Sequence, residues 1–134
     1  MTFLLGSTKI TWDGARRGKM KLPNRHKAVI PEAKIREYLL STSHPYGRHK
    51  AAFFQRFGFS AESSGVLTSA LRAHAEQCDV VRVDDTEFGT RYIVEGQLIT
   101  PDGRAPTVRV VWFIEKGGNR PRLVTVYPAG GGIS

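Results

Sequence analysis

The chain predicts a segregated α+β domain, with two to three N-terminal helices packed on a three- to four-stranded antiparallel meander sheet. Helical periodicity is confined to the part before Cys78. β-branched and aromatic runs fill the part after it, and Gly, Pro, Asp and Asn divide those runs at hairpin spacing. Because the helices come first and the strands then follow one another as hairpins, the order is that of a segregated α+β domain and argues against a parallel βαβ arrangement.

With 134 residues, 40% of them hydrophobic, the chain can bury one ordinary core and has no room for a second sizeable domain. Residues 1–19 read as a loosely attached N-terminal arm and 20–134 as a single α+β domain. The arm's apolar run, Phe3-Leu4-Leu5, is too short for a signal-peptide core or a membrane span. The expectation is therefore a soluble cytoplasmic protein with no membrane partner.

A first helix is expected over 31–40, where Pro31 suits a helix start and Ile35, Tyr38, Leu39 and Leu40 fall on one side. Ser41, Thr42 and Ser43 end it. Pro45 and Gly47 make a turn into a second amphipathic helix carrying Ala51, Phe53, Phe54, Gln55 and Phe57, which Gly58 terminates. A third runs from 63 or 64 to 77, with Val66, Leu67, Ala70, Leu71, His74 and Ala75 recurring at three and four residues.

Beyond Cys78 come Val80-Val81 with Val83, then TRYIVEGQLIT, TVRVVWFIE and RLVTVYP. Asp84, Asp85 and Glu87 read as a solvated loop. Asp102-Gly103 favours a two-residue type I′ hairpin, and Gly117-Gly118 a second one. Those turns align Ile93, Trp112 and Leu123 in one row, Glu95, Val110 and Thr125 in the next, and Gln97, Val108 and Tyr127 in the third. The opposite face, with Tyr92, Val94, Leu98, Val111, Phe113, Val124 and Val126 around Arg109, is the one the helices are expected to cover. Glu95 reads as part of an exposed polar sheet end.

Twenty Lys and Arg against twelve Asp and Glu give a net charge of +8, which favours a polyanionic partner. Without the arm the balance is still basic. Cys78 is the one cysteine, so an intrachain disulfide and a cysteine-rich zinc site are excluded, and its setting beside a valine run fits a packing role. There is no glycine-rich phosphate loop and no Gly-x-Ser-x-Gly, and the four histidines lie at no zinc-binding spacing. No cofactor is expected.

What remains is His44-Pro45-Tyr46-Gly47-Arg48-His49-Lys50, two imidazoles, a guanidinium and an ammonium beside a helix N-terminus. Cations there oppose the helix dipole at about 0.3–1 kcal/mol each when exposed, so stability does not account for them. Cleavage of RNA by its own 2′-hydroxyl needs a base, an acid and cations for the phosphorane, and these residue types can supply them. His44 or His49 would move the proton and Lys50 and Arg48 would stabilise the phosphorane, while Arg122, Thr125 and Tyr127 on the last strand would position or protonate the leaving group. Arg48, Arg109 and Arg122 are the expected RNA contacts. The structural alternatives are a capping His44, a Lys50 lying over Phe53 or Phe54, and Thr125 and Tyr127 as ordinary strand residues.

The HPYGRHKAAFF helix start and the late strand PRLVTVYP together resemble a family of small bacterial domains of unknown function, over roughly 29–128. Its pattern reads HP-x-G-x-x-KA-x-FF and PRLVTAYP. The motif falls on His44, Pro45, Gly47, Lys50, Phe53 and Phe54, and on Pro121, Arg122, Thr125, Tyr127 and Pro128. The chain departs from it in having Ser41 and Thr42 where Asn-Pro is expected, and His49 is not a position the pattern sets, which favours Lys50 and His44. Such domains occur alone or in polymorphic toxins, and they look like the helix-then-sheet ribonuclease fold of colicin D, colicin E-type and EndoU-like toxins.

The resemblance implies a metal-independent endoribonuclease of a toxin or toxin–antitoxin system. It would act on RNA, tRNA included, with a cognate antitoxin or immunity protein as partner and delivery into a target cell as one setting. The alternative is a non-enzymatic basic module that binds nucleic acid or an acidic protein. An immunity protein for a basic nuclease is disfavoured by like-charge repulsion.

Overall fold

Helices lead and strands follow in the computed structural model, which describes residues 20–39 and 48–129. The expected arm, Leu40, the helix break after it, His44 with the Pro45–Gly47 turn, and the tail from Gly130 lie outside the described residues.

A single 3-10 turn (Arg25–Lys27) precedes α1 (Glu32–Lys34), which widens into a π-helical stretch (Ile35–Leu39). Pro31 stands just before this helix as its N-cap, and Ile35 and Leu39 are fully buried, as their spacing predicts. The second helix, α2 (Arg48–Arg56), buries Ala51 and Phe54. Gly58 ends it with φ +102°: its N–H donates to Gln55 O and the N–H of Phe59 to Phe54 O, the paired bonds of a glycine-terminated helix. Gln55, expected on the apolar stripe, is exposed.

The third helix, α3 (Ser64–Gln77), buries Leu67, Ala70, Leu71, His74 and Ala75, while Val66 faces solvent. Four strands follow: β1 (Asp79–Thr86), β2 (Gly89–Gln97), β3 (Thr107–Glu115) and β4 (Arg122–Pro128). They form one antiparallel meander in the order β1-β2-β3-β4. Asp84 and Asp85 belong to β1 rather than to a loop.

Pairing of β2 with β3 is shifted by one residue from the expected register: Val94 faces Val110 and Tyr92 faces Trp112. The physical reason lies in residues 98–106. A two-residue turn at Asp102-Gly103 would place Pro101 and Pro106 at ladder positions where neither has an N–H to donate. The chain instead closes a wider loop, in which Leu98 is fully buried and its N–H donates to Pro106 O. Thr100 Oγ1 donates to Asp102 at 2.8 Å and accepts the N–H of Ala105 at 3.2 Å. The Arg104 N–H, ahead of the Thr100 hydroxyl, holds the Asp102 carboxyl below the usual carboxylate range.

This loop also seats α2. The N–H of Asp102 donates to Phe57 O, and Arg104 Nη2 donates to Arg56 O at 2.6 Å. The Arg104 guanidinium lies 4.4 Å from the centre of the Phe57 ring.

On the inner face of the sheet Val94, Val108, Val110, Trp112, Leu123 and Val126 join Ile35, Leu39, Phe54, Leu67 and Leu71 in one core cluster. The face of β3 that had been expected to look outward is therefore the buried one, and Arg109, Val111 and Phe113 lie on the outer face. Cys78 packs against this core, with burial pushing its thiol pKa up. No helix among the described residues is long and apolar enough to cross a membrane.

Helix α3 is docked through Gly96. His74 Nε2 donates to the Gly96 carbonyl at 3.2 Å, and a methyl group at Gly96 would run into Cys78 Sγ and Cβ. Gly96→Ala is expected to cost about 1–3 kcal/mol by overpacking, seen as a lower denaturation midpoint in urea. Burial pulls the His74 pKa below its ordinary value, against the carbonyls of Gly96 and Val108, which act the other way. With Nε2–H committed to Gly96, protonation would place a donor on Nδ1, which is buried and has no partner. The unfolded chain thus takes up this proton first as the pH falls. The stability is fully present above pH ~6.5 and declines below it, by at most about 1.4 kcal/mol per pH unit. Urea denaturation of wild type and His74→Gln at pH 7.5 and 5.5 should show the smaller acid loss in the variant.

Candidate functional site

Two bulges shape the outer face of the sheet. On β4 the pairing shifts between Val111↔Thr125 and Trp112↔Leu123, leaving Val124 as the extra residue. The bulge reverses the alternation, so that Leu123 and Val126 both point into the core while Arg122, Thr125 and Tyr127 share the opposite face. Val81 is the extra residue on β1.

Three rows then cross the outer face: Asp79, Glu95, Arg109 and Tyr127; Arg82, Ile93, Val111 and Thr125; and Asp84, Arg91, Phe113 and Arg122. In the first row Arg109 Nε donates to Glu95 Oε1 at 2.7 Å. The guanidinium pKa is raised first by that hydrogen bond and next by one with Tyr127 on the other side. Glu95 Oε2 makes no hydrogen bond among the described residues. The Arg109 side chain is 42% and that of Glu95 33% exposed, so both are reachable from solvent. Thr125 Oγ1, one row away, is buried without a partner. Arg82 pairs with Asp84 at 3.0 Å and Arg122 with Glu115 at 3.2 Å, whereas Arg91 has no ion pair among the described residues.

Four of the sequence-predicted residues, Arg109, Arg122, Thr125 and Tyr127, therefore lie on this face. Arg48, His49 and Lys50 are the first described residues of α2, for which only the backbone is described; of the residues that follow them Ala51 is buried and Phe54 joins the core cluster. His44 lies outside the described residues. Glu95, which the sequence presents as part of an exposed polar sheet end, is the functional candidate that only the register brings out. Pro106 was the available signal, since its missing N–H disfavours the register that had placed Glu95 opposite Val110.

Chemically the first row lines up a carboxylate, a guanidinium and a phenol on adjacent strands about 4.8 Å apart. Such a row can accept a proton at one end, neutralise an anion in the middle and donate a proton at the other. Among the described residues no group of three or more His, Cys, Asp or Glu is arranged to hold a metal ion.

Residues 21–130 match the family described as a domain of unknown function, DUF6883. The chain belongs to this family. Comparison of this DUF6883 chain with curated proteins gives no match. Among solved structures it is similar to a chain of a contact-dependent growth inhibition toxin–immunity protein complex from Klebsiella pneumoniae 342. The two are 22% identical with a TM-score of 0.60, and the match covers 76% of this chain and all of the other. At that identity the likeness is one of fold, and it agrees with helices followed by an antiparallel sheet.

Because the Glu95–Arg109 pair is solvent-exposed, its contribution to stability should be small. Glu95→Gln and Arg109→Lys are expected to shift unfolding free energy by no more than about 1 kcal/mol, measured by urea denaturation.

Proposed function

We propose that the chain is an RNA-cleaving domain of a bacterial toxin or toxin–antitoxin system, with the Glu95–Arg109–Tyr127 row as its reaction centre. The observation that carries the proposal is the 2.7 Å contact of Arg109 with Glu95, in line with Tyr127 on a solvent-reachable sheet face. Glu95 takes the proton of the 2′-hydroxyl through Oε2, and the 2′-oxygen attacks phosphorus. Arg109 stabilises the phosphorane, and Tyr127 gives its proton to the departing 5′-oxygen. A 2′,3′-cyclic phosphate and a 5′-hydroxyl result, and solvent returns the proton from Glu95 to Tyr127. Arg82, Arg91 and Arg122 hold flanking phosphates. No step calls for a metal.

Arg48, His49, Lys50 and His44 enter as a second set of RNA contacts, and mutation separates the two sets. The setting in a toxin system is supported by the fold shared with a chain of a contact-dependent growth inhibition toxin–immunity complex. A cognate immunity protein or antitoxin is the proposed protein partner, and the cytoplasm of a target cell the proposed place of action.

A non-enzymatic binding module is the second reading. It is favoured by the ion pairs that already engage Arg82, Arg109 and Arg122, since paired arginines can position a partner without chemistry.

Incubation of the purified protein with total RNA and tRNA in EDTA should yield fragments with 2′,3′-cyclic phosphate ends. Glu95→Gln and Arg109→Lys should each lower the rate by ~100-fold or more, with RNA affinity changed less than about threefold. If a His49→Ala, Lys50→Ala double variant instead abolishes cleavage and the row variants do not, the reaction centre lies at the helix start. Intact RNA under conditions where it is bound establishes the binding module.

A further inference from the structure

We infer that the chain carries a second recognition site, a cleft that accepts the guanidinium of an arginine presented by a protein partner. A cleft of about 520 Å³ opens at the end of the sheet where β1 turns into β2 and β3 runs out toward β4. Asn24, Asp85, Thr90, Tyr92 and the Gly117–Asn119 loop line it. This volume is within the usual range of binding pockets, a few hundred Å³ upward.

The groups that converge there are left open by the fold. Thr90 Oγ1 donates to Asp85 Oδ1 at 2.7 Å, which orients the carboxylate and leaves Oδ2 without a hydrogen bond among the described residues. The Tyr92 hydroxyl and the side-chain amides of Asn24 and Asn119 likewise make none there. Burial first, and then the charge of Asp85, raise the Tyr92 pKa above its ordinary value. Asn24 stands in the left-handed region at φ 55°, ahead of the 3-10 turn.

These features select the ligand. A free carboxylate oxygen, a phenol oxygen and two amide oxygens all accept hydrogen bonds, and a planar guanidinium supplies several donors in a fixed fork. A negative group beside Asp85 would be repelled, so a phosphate is disfavoured on a chain that is otherwise strongly basic. Lys116 also lines the cleft, and its neighbour Glu115 is engaged by Arg122.

The rim points to a macromolecule. Phe88, 72% exposed on the β1–β2 turn, lies beside the cleft through the bond from Lys116 N–H to its carbonyl, and an exposed aromatic next to a polar pocket is the usual make-up of a protein interface. Thr90, Tyr92 and Ile114 belong to the inner-face positions of their strands. Glu95 is five positions along β2 from Thr90, or about 17 Å, and on the other face. A partner seated here therefore leaves the Glu95–Arg109–Tyr127 row open, and the inference stands whether or not that row cleaves RNA.

The test is a titration of the full chain, followed by amide chemical shifts, with N-acetyl-arginine amide as the probe and its uncharged isostere N-acetyl-citrulline amide alongside. Arginine amide should move the signals of Asp85, Thr90, Tyr92 and Asn119. Asp85→Asn should weaken it at least tenfold, Tyr92→Phe less, and Glu95→Gln not at all. The inference is overturned if no localised shifts occur, if the citrulline amide binds equally, if only free arginine binds, or if guanosine monophosphate occupies the cleft in preference.

Discussion

The pairing of Val94 with Val110 is the constraint on which both faces of the sheet rest. In that register Trp112 lies between Tyr92 and Leu123 on the inner face, and Arg109 emerges between Glu95 and Tyr127 on the outer one. A shift of one residue would carry every side chain of β3 to the other face and expose Trp112. The loop that enforces the register, residues 98–106, is held by the burial of Leu98 and by the hydrogen bonds that Thr100 and Asp102 make within it. The same loop grips the end of α2 through Arg104, so helix placement and strand register are coupled.

The second anchor is Gly96, near the end of β2. Its carbonyl receives His74 from α3 and its missing side chain admits Cys78, which brings the helix end within reach of the strand. A buried histidine with one ring nitrogen unpartnered is costly to protonate, and this ties helix docking to pH. The outer face is built differently. Its ion pairs are exposed and add little to stability, so their alignment is not what holds the fold together.

Both edges of the sheet are managed. Val80 N–H on β1 donates to Met20 O, and at β4 Val29 bridges Arg122, with the N–H of Leu123 donating to Val29 O. The bulges at Val81 and Val124 interrupt the ladders of these two edge strands, a feature that discourages further pairing. The Val124 bulge has a second consequence, since it turns Thr125 and Tyr127 to the side where Arg109 lies. A device for ending strand pairing thus also assembles the candidate reaction centre.

Local physics was legible in the chain itself. Helix α3 falls where the three- and four-residue spacing of Leu67, Ala70, Leu71 and His74 placed it, Gly58 stops α2, and the passage from helices to strands comes at Cys78. These features depend on neighbours within one or two turns, and side-chain type and spacing suffice to set them. The row of Glu95, Arg109 and Tyr127 was not legible, although Arg109 and Tyr127 were singled out as individuals. It needs a register and a bulge, and neither is a local property. Asp102-Gly103 favours a tight hairpin on its own account, but burial of Leu98 and the two prolines outweigh that preference once the strands meet. The cleft beside Asp85 is likewise tertiary, because Asn24, Tyr92 and Asn119 come together only when the segment before the first turn packs across the end of the finished sheet.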